Sequence, residues 1–275
     1  MAIITISRQM GTGAHQIATD LAKRLKYSLV DDAKILALAT AYGLSREEIQ
    51  WVDEKPPATI TDEDRRYAAL LSGIELLLLE CCRQGNVIIY GRGAQDLLAG
   101  MENVLRLRFV APFDVRVEKF AEREWLDPDL AKTLIRKSDH QRNGFISYYF
   151  EREWNDPLGY DLVFNTCCLS PGSVVESIVA AVRDPRLAYC EADSFSLLED
   201  KILCKRVETE LLKSGVVEYL HFRAEVKKGV VTFSGHVHTD AERQSALVIA
   251  QAVPGAVRVI DQLQVVEYRR YRGEK

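Results

Sequence analysis

A chain of 275 residues, 47% hydrophobic and 28% charged, has the balance of an ordinary globular protein and the length for one large domain and a smaller one. Its formal net charge of −4 supplies no global field for nucleic acid, so no nucleic-acid partner is expected and any basic groups that matter act locally. The longest apolar stretch, Ile74 to Cys82, is interrupted by Glu75 and Glu80, so no transmembrane segment is expected, and Met1 leads into an apolar strand rather than a secretion signal. The expected location is therefore cytoplasmic. Six cysteines, the pairs Cys81-Cys82 and Cys167-Cys168 with Cys190 and Cys204 alone, show no zinc spacing and read as buried thiols rather than disulfides.

In chain order, a short apolar strand, Ile3 to Ile6, meets the turn Ser7-Arg8-Gln9-Met10-Gly11-Thr12-Gly13-Ala14-His15-Gln16, and an amphipathic helix runs on to Leu25. Strand, glycine-bearing turn and helix is the layout in which backbone N–H groups and a helix N-terminus converge on an anion. Gly11 and Gly13 allow close approach of the backbone to a phosphate. A strict phosphate loop also carries Lys and then Ser or Thr at the helix start, where this chain has Ala14 and His15. Either Arg8, inside the loop, or His15 replaces that cation, or Arg8 is a surface ion pair and His15 a solvated helix-start residue.

Ser45–Asp53 reads as helix and Lys55-Pro56-Pro57 through Asp62 as a mobile connection. A helix over Tyr67–Gln84 leads to the strand Val87–Tyr90 and Gly91-Arg92-Gly93-Ala94. Arg92 then stands at a strand's carboxyl end, where a guanidinium grips a phosphate through two N–H groups or pairs with a structural carboxylate. The strand Leu105–Val110 and the helix Phe113–Glu124 precede a helix over Asp129–Asn143 that carries Arg136, Asp139 and Arg142 near one face. That run is either an exposed ion-pair ladder or a lid over transferring phosphates. The strand Leu162–Asn165 and the helix Val174–Val182 complete an alternation of buried strands and helices, the pattern of an α/β parallel sheet with helices on both faces and its chemistry at the strands' carboxyl ends.

These residues divide into a first domain over 1–185, a linker over 186–196 and a second domain over 197–268. The second reads helix Leu198–Ser214, strand Arg223–Lys227, turn Lys228-Gly229, strand Val230–His236, helix Asp240–Val253 and strand Val257–Val266, an αββαβ order of the α+β class. His236 and His238 share a strand face, which suits either a metal or two surface residues, and Tyr268-Arg269-Arg270-Tyr271-Arg272 reads as a frayed basic end or a contact for anionic lipid or a partner.

The run Ile3 to Gly13, Tyr27 to Asp32, Gly91-Arg92-Gly93, Arg136 to Arg142 and Asp156 to Thr166, in that order, resembles the cytidylate-kinase-like family of P-loop nucleoside monophosphate kinases. The resemblance implies phosphate transfer from ATP, with Mg2+ bridging the donor phosphates, to a nucleotide such as CMP. It implies that Gly11, Thr12 and Gly13, with Ala14, His15 and Gln16 following, hold the donor. Arg92 would hold the acceptor monophosphate, Asp32, Asp139 and Asp161 would lie in the acceptor region, and Arg136 and Arg142 would be lid arginines acting with Arg8. Cytidylate kinases read Gly-Lys-Gly-Thr where this chain has Gly13-Ala14-His15-Gln16, and Gly-Arg-Asp at Gly91-Arg92-Gly93; a lysine-less branch reads Ser-Arg-x-x-Gly-Ser-Gly-Gly, matched except at Ala14.

Residues Leu198 to Glu267 resemble a BON domain through Gly229 to Val237, the alanines of the following helix and Val253 to Leu263. This implies a module that associates with a phospholipid, small ligand or protein partner. Two readings stand: a working nucleoside monophosphate kinase, or a catalytically impaired nucleotide-binding sensor that reports to its BON domain.

Overall fold

The computed structural model describes residues 2–52, 62–189, 191–215 and 222–266. The expected connection before Asp62, Cys190 and the basic tail lie outside them. The chain forms two compact units.

The first unit is built on a five-stranded parallel sheet of β1 (Ile3–Arg8), β2 (Ser28–Val30), β3 (Val87–Tyr90), β4 (Val104–Val110) and β5 (Leu162–Asn165), in the order β2-β3-β1-β4-β5. Its inner strands are runs of Ile, Val and Leu because both faces are covered: Ile3, Ile4, Ile6, Ile88, Ile89 and Leu107 are all buried. On one face α1 (Ala14–Leu25) and α8 (Pro171–Val182) pack Ile17, Ala18 and Leu21 with Val174 and Ile178 over Phe109 and Phe164. In chain order the unit also contains α2 (Asp32–Leu38), α3 (Arg46–Trp51), part of α4 (Asp62–Arg83), α5 (Ala94–Leu97), α6 (Phe113–Glu124), α7 (Pro128–Phe150) and α9 (Pro185–Tyr189). The chain leaving β1 returns at β2 on one side and the chain leaving its neighbour β4 returns at β5 on the other, which opens a crevice between their carboxyl ends.

Four differences from the sequence reading have local causes. β1 continues through Ser7 and Arg8, paired with Arg108 and Phe109, so Arg8 ends the strand rather than lying in the loop. Helix α7 runs on to Phe150 because Phe145 and Ile146 are buried beyond Asn143. The stretch expected as a linker is helical, in α9 and the first turns of α10 (Glu191–Ser214). The cysteines are divided: Cys82 is buried, Cys81 and Cys204 are partly buried, and Cys167 and Cys168 are exposed, all five as free thiols. Burial pushes the Cys82 and Cys204 thiols far above their ordinary range.

The second unit has a three-stranded sheet, β6 (Phe222–Lys227), β7 (Val230–Val237) and β8 (Arg258–Val265), with β6 antiparallel and β8 parallel to β7. α10 and α11 (Asp240–Ala252) cover it, placing Val207, Leu211, Ala246 and Ala250 against Val231, Phe233 and Leu263. The Lys228-Gly229 turn has positive φ at both residues, and both N–H groups donate to the Asp200 carboxylate, at 2.7 and 3.0 Å. The turns of α4 up to Leu76 group with this unit and those from Leu77 with the first. Within the second unit Ser72 bonds Thr209 at 2.9 Å, and the Lys205 ammonium lies 2.8 Å from Glu75 and 2.7 Å from Glu208.

Candidate functional site at the carboxyl edge of the parallel sheet

Between β1 and α1 the chain turns through Gly11 and Gly13, at φ 84° and 74°. The two glycines serve different needs. A methyl group on Gly11 would lie 2.7 Å from the Arg116 carbonyl oxygen, whereas one on Gly13 would meet nothing within 4 Å. Gly11 therefore permits close packing, and Gly13 borders open space at the start of α1, a helix end whose N–H groups suit an anion.

The loop is braced from three directions. The Thr12 hydroxyl donates to the Gln9 carbonyl at 2.9 Å, and the Thr12 carbonyl accepts from the Thr166 hydroxyl after β5 at 2.9 Å. The Met10 N–H donates to Asp139 Oδ1 at 3.1 Å. Arg116 on α6 donates to the carbonyls of Met10 and Ala111 and to Asp139 Oδ2, at 3.0, 3.1 and 2.7 Å. Asp139, expected in the acceptor region, thus ties α7 to the loop and to Arg116. A loop held this way offers its N–H groups in a fixed arrangement and spends little reorganisation on a charged ligand.

The cations gather unevenly. Arg8 lies 4.5 Å above the Tyr90 ring, and the His15 ring meets the same tyrosine edge-on at 5.4 Å, with Nε2 3.2 Å from Asp31 Oδ2. Burial opposes the Asp31 charge, but the Lys34 N–H and His15 outweigh it and hold the carboxyl below its ordinary range. Arg142 on α7 donates to Ser138 Oγ at 2.7 Å, and it lines one cleft with Ser7, Arg8, Gly91, Gly93 and Trp154. Arg136 stands apart, exposed and 5.0 Å from the Phe113 ring.

Arg92 and Asp32 meet. The buried guanidinium donates to Asp32 Oδ1 from Nη2 at 2.7 Å and to the Val52 carbonyl from Nη1. Asp32 is 64% exposed. Asp161 is elsewhere: it accepts from the Arg106 N–H at 2.7 Å, and it precedes Leu162, which is level with Leu107 and so with Ile6. That puts Asp161 three residues below Arg8, roughly 10 Å from the carboxyl edge at the rise of a strand.

Gln16, at the first turn of α1, donates to both Asp20 oxygens at 3.0 Å. Among the described residues no three His, Cys, Asp or Glu side chains are placed to hold a metal ion. His236 is exposed on β7 and His238 follows its end. No described helix is long and apolar enough to cross a membrane.

Arg116, Tyr90, Thr166 and Arg108 were missed in the sequence. Arg116 looks like any charge on an amphipathic helix. Arg108 carried a weak signal, an arginine within the apolar run Val104 to Val110.

The description "Cytidylate kinase-like family" belongs to a family model that matches residues 3–167, and the BON domain model matches residues 199–267. A cytidylate kinase of Methanopyrus kandleri is 30% identical over 197 residues, covering 67% of this chain and 94% of that protein. One of Pyrococcus horikoshii is 28% identical over 181 residues, covering 66% and 88%. Among solved structures, an uncharacterized protein from Eubacterium ventriosum aligns over 67% of this chain and 99% of its own, with a TM-score of 0.53 at 19% identity, a likeness of fold.

Proposed function

Since the chain belongs to the cytidylate kinase-like family of nucleotide kinases, we propose that its first unit transfers a phosphoryl group from ATP to a nucleoside monophosphate such as CMP, in the cytoplasm. The observation that carries this reading is the shared cleft, in which Arg8 and Arg142 reach the same space beside Gly91 and Gly93, at the edge where the braced loop presents α1.

In this reading the N–H groups from Gly13 to Gln16 take the donor phosphates, as the open side of Gly13 allows. Arg92 takes the acceptor phosphate in place of Asp32, exchanging one anion for another on the same guanidinium face. Arg8 and Arg142 spread the charge of the migrating group while an acceptor oxygen attacks in line, with no covalent enzyme intermediate. His15 adds a cation at the start of α1 when protonated, and Asp139 holds the loop rather than the acceptor. Gln16 is tied to Asp20; Mg2+ would arrive on the ATP phosphates, and no step is assigned to it.

Phosphoryl transfer from ATP to a panel of nucleoside monophosphates, followed by a coupled assay, tests the proposal. Turnover on one acceptor, falling on the order of a hundredfold in Arg142→Ala, supports it. Ala14, a buried alanine at the lysine position, favours a second reading, a nucleotide sensor acting through its BON domain. ATP binding without turnover on any acceptor selects the sensor.

A further inference from the structure

Arg108 is 2% exposed, in the middle of the sheet, level with Ser7 across the β1–β4 ladder. Its guanidinium donates to Ser7 Oγ at 3.3 Å, to the Tyr160 hydroxyl at 3.2 Å and to Asn155 Oδ1 at 2.8 Å. It lies 4.2 Å from the Trp154 ring and 5.2 Å from that of Tyr160. The Trp154 N–H also donates to Ser7 Oγ, at 2.9 Å. All of these partners are neutral. The nearby carboxylate of Asp139 is already bound to Arg116, and burial pushes the Arg108 guanidinium below its ordinary range without discharging it.

Arg106, two residues earlier on the same strand, shows what a purely structural arginine does here. It donates to the carbonyls of Val104, Leu98 and Met101 and has Asp161 as its counter-charge at 3.8 Å. Among the described residues Arg108 caps no carbonyl and has no carboxylate in ion-pair contact. A buried charge without a counter-charge costs folding free energy, and an anion arriving beside it offsets that cost. Two of its neighbours, Ser7 and Trp154, line the cleft that Arg8 and Arg142 share. The guanidinium therefore stands one side chain behind that space, inside a medium that screens it weakly.

We propose that Arg108 is a fixed positive charge set behind the phosphate site, whose counter-charge is the phosphate chain of the bound nucleotide. It supplies from within the sheet part of the neutralisation that Ala14 cannot supply from the loop. It is a positioning residue: it touches no substrate, moves no proton and acts through Ser7 and through its field. The inference rests on the phosphate-site reading above but not on catalysis.

The test measures calorimetric binding of ATP, ADP and adenosine, in the absence of divalent metal, to the full chain and to Arg108→Met and Arg108→Lys. Affinity in Arg108→Met is expected to fall on the order of tenfold for ATP, less for ADP and not at all for adenosine, with Arg108→Lys restoring most of the loss. An equal loss for all three ligands, or none for ATP, overturns the proposal. Should Arg108→Met not fold, Arg108→Gln, which keeps a donor toward Asn155, is read on the same series. Wild-type protein that binds adenosine but gains nothing from the phosphates sinks the phosphate-site reading itself, whereas wild-type gain with a charge-independent variant sinks only the role of Arg108.

Discussion

Among the described residues, three guanidinium groups are buried around the loop of the first unit, Arg92, Arg108 and Arg116, with the carboxylates of Asp32 and Asp139 set against them; the second unit places the Lys205 ammonium between Glu75 and Glu208. Among its described residues the second unit otherwise buries the neutral pair Ser72 and Thr209 and an apolar core centred on Val231, Phe233, Ala246 and Leu263. A surplus of buried positive charge suits a place where phosphates dock. A lysine flanked by two carboxylates suits packing, since the cluster has nothing left to offer an anion. Burial alone would push the Lys205 ammonium down, but Glu75 and Glu208 hold it well above its ordinary range. Buried charge therefore has different meanings in the two units, and its local balance tells them apart.

The largest expected effect breaks the comparison if it fails. Asp139→Ala leaves the Arg116 guanidinium, 6% exposed, without its carboxylate and frees the Met10 N–H, so it should cost the first unit about 3 kcal/mol and abolish nucleotide binding. Glu75→Ala should destabilise the second unit, read by calorimetric unfolding, and leave ATP affinity unchanged. An equal loss of affinity in both variants would show that the charge clusters are not separate in function.

Within the loop the two glycines sharpen the same contrast between packing and site. Gly11→Ala combines a left-handed backbone with a carbonyl contact at 2.7 Å and should cost more than about 2 kcal/mol, whereas Gly13→Ala carries only the conformational cost, about 1 kcal/mol. Gly13→Ala should nevertheless weaken ATP binding severely, because alanine strains the left-handed backbone at φ 74° and so shifts the N–H groups proposed to take the donor phosphates. Thermal unfolding and calorimetric binding of the two variants separate the effects.

The smallest effect lies in the pH dependence. The Asp31 carboxyl is lowered in the folded protein, so its contribution is present above its ordinary value of 3.8 and is lost as pH falls through the folded value; Asp31→Asn should make the acid limb of first-unit stability shallower. The Lys205 ammonium is raised, so its contribution is complete below 10.5 and is lost only as pH climbs past the raised value. Unfolding followed with pH should therefore show an acid limb for the first unit and, for the second unit, no loss from Lys205 until the pH is well above 10.5.

The sequence by itself determined the strand, loop and helix at residues 3–25, Arg92 at the end of β3, the long helix bearing Arg136 to Arg142, and the αββαβ order of the second unit. Those signals are local: hydrophobic period, glycine punctuation and residue type act within a turn or two of the chain. Only the tertiary structure decided that Arg8 ends a strand, that Asp139 braces the loop while Asp161 lies below the edge, and that the first turns of α4 group with the second unit. The bonds concerned join residues 129 apart, as in Met10 and Asp139, or 101 apart, as in Ser7 and Arg108. A charge's partner depends on which elements pack together and in what register, and the periodicity of a single element carries no record of either.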